Sequence, residues 1–117
     1  MASRKLVLTQ NAVAKNHRAR WSNLTSGFET GEVLENPFLP NKTITVSGAF
    51  DSAWLIVEGS MTGNDGDYYP ISSVDGKQIL FTENGHDVFR GSFIYVRPRL
   101  IRATQRANVD ISMLCQA

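Results

Sequence analysis

"KTITVSG", residues 42–48, decides the fold. Ile44 and Val46 alternate with Thr43, Thr45 and Ser47, a period of two that sets one row of side chains in a core and a row of hydroxyls on the opposite face of a strand. A helix would repeat its apolar positions every three or four residues instead. The next block, "AWLIVEG" (53–59), is a nearly continuous apolar run bounded by Ser52 and Gly59, too short for a typical helix and suited to a strand covered on both faces. Downstream, "DYYPIS" (67–72), "KQILFT" (77–82), "HDVFRGS" (86–92), "FIYVRPRLI" (93–101) and "NVDISMLC" (108–115) are all short. They are punctuated by "GNDGD", "VDG", "ENG" and "TQRAN". Regularly spaced β-rich runs with Gly, Asn and Asp between them predict an all-β fold, an antiparallel β-sandwich or small barrel.

Local signals refine this. Asp75-Gly76 and Asn84-Gly85 predict two hairpins, because these residues tolerate the positive φ of tight primed turns. Pro70 and Pro98 fall inside strand-like runs and, lacking a backbone donor, each predicts an edge or a bulge.

Upstream of residue 42 the pattern changes. "MASRKLVLTQNAVAKNHRAR" has no clean period beyond a short strand at Leu6 to Thr9, and "FETGEVLENPFLPN" is broken by prolines and acids. The chain is therefore divided into an extended, basic N-terminal arm at 1–28 and a single β-sandwich domain at 29–117, with 29–42 as a lead-in loop. An arm of this kind gains order on docking.

A length of 117 residues at 42% apolar content suits one core. No apolar block approaches the roughly 18 residues of a membrane span, and Leu6 to Leu8 is shorter than the core of a secretory signal, about 7 residues at the least. These features predict a soluble protein made in a reducing cytoplasm, and the lone Cys115 offers no internal disulfide. The net charge of +1 conceals a segregation: residues 1–28 carry +5, residues 29–89 carry −8 and residues 90–117 carry +4. Basic ends around an acidic middle favour self-assembly or docking on a complementary surface.

Chemistry-bearing motifs are sparse. "GNDGD" (63–67) offers Asn64, Asp65 and Asp67, but the position of an EF-hand's closing glutamate is Ser72, so the segment reads as a turn whose glycines supply unusual backbone angles. His17 and His86 lie far apart and outside zinc spacing, and Asp87, Ser92 and Cys115 lack the local context of a catalytic triad, so they read as solvated loop residues. No phosphate loop is present. The expectation is no enzyme, no cofactor and no metal.

What remains is binding. Alternation along 93–101 puts Tyr95, Arg97 and Arg99 on one face of a strand, an aromatic and arginine mixture typical of interface anchors. Such a face could also stack a base, yet the near-neutral total charge favours a protein partner over nucleic acid. The arm adds Arg4, Lys5, Arg18 and Arg20, with Trp21 as the residue that anchors it.

The order of blocks resembles small β-sandwich virion proteins encoded among the structural genes of tailed bacteriophages. The matching positions are Val46, Ser47, Gly48 and Phe50, then Glu58, Gly59, Ser60, Asp65 and Gly66, then Gly76, Leu80 and Thr82, then Tyr95, Val96, Arg97 and Pro98. They span residues 41–101, with Met61, Thr62 and Gly63 inserted into the second block. The resemblance implies a virion structural protein made in a bacterial host, most specifically a capsid decoration (cement) protein. Its partners would be the major capsid protein, other virion proteins and further copies of itself. A tail, neck or baseplate component is one alternative; a carbohydrate-binding module presenting Trp54, Tyr68 and Tyr69 is another.

Overall fold

The computed structural model describes residues 3–11, 16–35, 39–91 and 93–116. The described residues form an all-β sandwich of twelve strands: β1 (Ser3–Arg4), β2 (Leu6–Asn11), β3 (Asn16–Thr25), β4 (Thr30–Gly31), β5 (Leu34–Glu35), β6 (Asn41–Ala49), β7 (Trp54–Ser60), β8 (Tyr69–Pro70), β9 (Leu80–Phe81), β10 (Gly85–Arg90), β11 (Tyr95–Ile101) and β12 (Asn108–Gln116). The first sheet runs β1-β4-β11-β7-β8, with β5 also on β11 and β9 also on β7. The second runs β10-β6-β12-β3-β2. Pairing is antiparallel except between β1 and β4.

Period-two alternation builds the core between the sheets. Ile44 and Val46 from β6, Val109, Ile111 and Met113 from β12, and Val96 and Leu100 from β11 are all buried. Each such side chain contributes about 1.5–3 kcal/mol when fully withdrawn from water. β7 is covered on both faces as its apolar run predicts, with Leu55 through Ser60 all buried.

The residues expected to form an arm are extended but paired. β2 lies on β3, and β3 lies on β12 along its whole length. The inward side chains of β3 are Ala19, Trp21 and Leu24, so its alternation skips a beat after Trp21. A bulge causes this: Trp21 pairs with Ile111 and Leu24 with Val109, leaving Ser22 and Asn23 opposite Asp110 alone. Asn23 takes a φ of 60°, and its amide donates to the Asp110 carboxylate at 2.8 Å. Trp21 is therefore a core residue rather than an anchor for a separate arm. Within the expected lead-in loop, β4 and β5 line β11.

Pro98 sits mid-strand without a bulge in β11, opposite the end of its neighbour β4. The Leu100 amide donates to Glu29 O on the β4 side, so the proline nitrogen, two residues earlier, faces the same side at Gly31, the last residue of β4, where the ladder stops. Glu32, just beyond it, serves other partners: its amide donates to Arg4 O, and its carbonyl accepts the Trp21 indole N–H at 2.9 Å. Gly31 completes the contact, since a Cβ there would stand 2.5 Å from the indole and 2.8 Å from the Pro98 ring.

One expected hairpin forms and the other does not. Around Asp75-Gly76 the Gly76 amide donates to Ser73 O and the Ser73 amide to Lys77 O, with Gly76 at a φ of 87°. Asn84-Gly85 instead carries the chain from β9 in the first sheet to β10 in the second, and the Asn84 side chain accepts the Gly48 amide at 2.9 Å. Pro70 occupies the edge strand β8, as its missing donor requires.

Candidate functional site

The two outer faces of the sandwich differ. On the first sheet, Tyr95, Arg97 and Arg99 do share the outer face, but the chain itself covers Tyr95 and Arg97, while the Arg99 side chain stays 41% exposed. Arg97 Nε lies 3.2 Å and Arg99 Nη1 3.4 Å from the Glu58 carboxylate on β7. The Glu58 side chain is only 6% exposed. The segment between β7 and β8 folds over this pair, and the Arg97 guanidinium stacks 3.8 Å above the ring of buried Tyr68. Burial pushes the Tyr68 phenol above its usual pKa, and Arg97 pulls partly against that. Gly63, at a φ of 80°, presses against the Tyr95 ring, where a Cβ would stand 3.2 Å away.

"GNDGD" is the turn that makes this cover. Ser60 Oγ accepts the Thr62 and Gly63 amides, while Thr62 Oγ1 donates to Asp67 at 2.6 Å. Gly63 supplies the unusual φ, whereas Gly66 belongs to a 3-10 turn at Asp65–Asp67. Among the described residues no three His, Cys, Asp or Glu side chains cluster as metal ligands.

The outer face of the second sheet is open. Register places His86, Thr45, Ser112, Arg20 and Val7 in one row across its five strands, and Val88, Thr43, Leu114, Arg18 and Thr9 in the next. Neither row contains an acid. Arg18 and Arg20 stand exposed beside a shallow depression of about 500 Å³ whose walls include Thr43, Thr45 and Ser112. Two guanidinium forks next to three hydroxyls are suited to accept carboxylates from a partner surface.

The remaining expected residues scatter. Arg4 is held at the sandwich edge, its Nε donating to Asn23 O at 2.7 Å and its guanidinium 3.9 Å from the Phe28 ring. Lys5 is exposed between β1 and β2. Trp54 and the tyrosines form no platform, because Tyr68 is buried, Trp54 lies half-buried under Arg102 at 4.7 Å, and Tyr69 is five positions along the register from Trp54.

Sequence reasoning missed one inward row. Register aligns Lys42, Cys115 and His17 on adjacent strands, so Cys115 and His17 belong to strands rather than solvated loops; Ser92 lies outside the described residues. Lys42 is buried, its Nζ donating to Leu39 O at 2.8 Å. Desolvation lowers its pKa, and the neighbouring Cys115 acts in the opposite direction. Its only visible signal was a lysine at a core position of "KTITVSG".

The fold therefore defines an all-β sandwich with one partly self-covered and one open face. No family model matches the chain, and no curated protein matches its sequence. Among solved structures, the SPBc2 prophage-derived protein YomS is similar, with a TM-score of 0.52 at 11% identity over 91% of this chain and 98% of that one. At that identity the likeness is one of fold. The K1 cleaved adhesin domain of Lys-gingipain from Porphyromonas gingivalis W83 gives a TM-score of 0.49 at 16% identity, covering 97% of this chain and 84% of that one. No helix among the described residues is long and apolar enough to cross a membrane.

Proposed function

We propose that this protein is a structural component of a bacteriophage particle that acts by binding alone, and that it decorates the capsid shell. The observation that carries the reading is the fold shared with a prophage-derived protein over 98% of that protein's length, in a chain whose motif order resembles small phage virion proteins. The docking surface is the open face of the second sheet, where Arg18 and Arg20 meet acidic groups of the major capsid protein. A shell repeats one site many times, so a modest interface per copy is sufficient to stabilise the lattice.

The test is the copy number of the protein relative to the major capsid protein in purified virions, by quantitative mass spectrometry. A ratio near one per capsid subunit supports decoration. A ratio hundreds of times smaller assigns it to a tail, neck or baseplate ring, and absence from the particle refutes the virion reading.

A further inference from the structure

A β-sandwich must protect its edge strands, because each presents unpaired backbone groups to any other strand. Three edges here are protected. β8 has two residues, one of them Pro70, and β1 has two residues followed by Lys5. β10 carries His86, Asp87 and Arg90, and its Val88 carbonyl already accepts the Val74 amide. β2 differs from all of these. Its sequence, "LVLTQN", contains no charge and no proline, and Val7 and Leu8 are 62% and 39% exposed.

The backbone of β2 fixes which groups are free. The Leu6 amide donates to Glu32 Oε1 at 2.8 Å rather than to β3, so the amides of Leu6, Leu8 and Gln10 point away from the sheet while those of Val7 and Thr9 face β3. Glu32 occupies the first of the outward donors. The free stretch that remains is short and centred on Leu8.

We infer that β2 pairs antiparallel with β2 of a second copy, about a twofold axis through Leu8. This register sets Leu8 against Leu8 and Leu6 against Gln10, with Leu8 N–H donating to Leu8 O and Gln10 N–H to Leu6 O from each copy. The same pair brings the partner's Gln10 O to the Leu6 amide, so Glu32 Oε1 releases that donor as the two strands close. Side chains agree with the backbone: the two Leu8 meet on one face, each Val7 meets Thr9 on the other, and no charge opposes its own image. Leu8 and Leu6 also line a groove of about 730 Å³ beside β4, whose Val33 is 39% exposed. The pairing covers the apolar rim of that groove and joins two five-stranded sheets into one of ten. The interface is isologous and independent of any capsid partner.

Sedimentation velocity on the isolated protein, from about 10 μM to about 1 mM, reads the proposal directly; so short an interface dimerises only toward the upper end. The 13.0 kDa monomer is expected to move to twice that mass. Leu8→Lys places a charge on the twofold, and Gln10→Pro deletes an outward donor without touching the β3 ladder; each should weaken the dimer at least tenfold. Fluorescence of buried Trp21 reports whether either variant stays folded. A wild-type protein that remains monomeric at about 1 mM, or a dimer indifferent to both variants, overturns the inference. So does a monomer that loses virion attachment on Leu8→Lys, which would give the edge to a strand of another protein.

Discussion

Arg97→Ala set against the double variant Arg18→Ala with Arg20→Ala separates the two arginine-bearing faces. In the wild type the Arg97 guanidinium lies 3.2 Å from a carboxylate whose side chain is 6% exposed, and 3.8 Å from the Tyr68 ring. Truncation leaves Glu58 with Arg99 alone, at 3.4 Å and 41% exposed. The loss of a buried partner for a charged group costs about 1–3 kcal/mol, and the stacking on Tyr68 adds about 0.5–1 kcal/mol. The expected destabilisation is thus about 1.5–4 kcal/mol, a large part of the roughly 5–15 kcal/mol that holds a domain together. For a chain of this size that corresponds to a fall in Tm of roughly 6–16 °C. Arg18 and Arg20 are exposed and make no described ion pair, so their double truncation should stay within about 0.5 kcal/mol of wild type while reducing attachment to virions. Urea unfolding followed by tryptophan fluorescence measures the first quantity, and co-sedimentation with capsids the second. The reasoning fails if Arg97→Ala unfolds like wild type yet no longer binds, since the covered face would then be the interface.

Two other substitutions test the interior. Gly31→Ala forces a methyl into the 2.5 Å gap to Trp21 and the 2.8 Å gap to Pro98; it should cost at least about 1–3 kcal/mol in urea unfolding, and less in a Trp21→Phe background if the indole is the obstacle. Lys42 has a folded pKa lowered from 10.5 by burial, so the unfolded chain binds the extra proton and stability rises with pH between the folded pKa and 10.5. Lys42→Met should flatten that rise in a pH series of unfolding free energies, and an unchanged slope would mean that Lys42 is not the group responsible.

The strands of residues 42–60 were legible because their alternation is local. β3 was not, since the extra residue at the Asn23 bulge shifts Leu24 out of phase with Ala19 and Trp21 and hides the alternation. Asn84-Gly85 carried a true turn signal, but a dipeptide cannot specify that the strands beside it join different sheets. The shared face of Tyr95, Arg97 and Arg99 followed from periodicity. Its cover depends on Glu58, 39 residues before Arg97, and on how a loop folds back. The open face of the second sheet is equally non-local, because Arg18, Ser112 and Thr43 become neighbours only through register.

The position of β12 bears on biosynthesis. It lies between β6 and β3 at the middle of the five-stranded sheet, pairing Gln116 with Asn16 and Asn108 with Thr25. The inner flanks of β3 and β6 stay unpaired until residues 108–116 have left the ribosome, so the sandwich closes late and through distant contacts, a slow topology. A polypeptide stopped anywhere before Asn108 lacks the central strand and exposes two sticky flanks. Translation through β12 is thus a checkpoint on assembly of the sandwich.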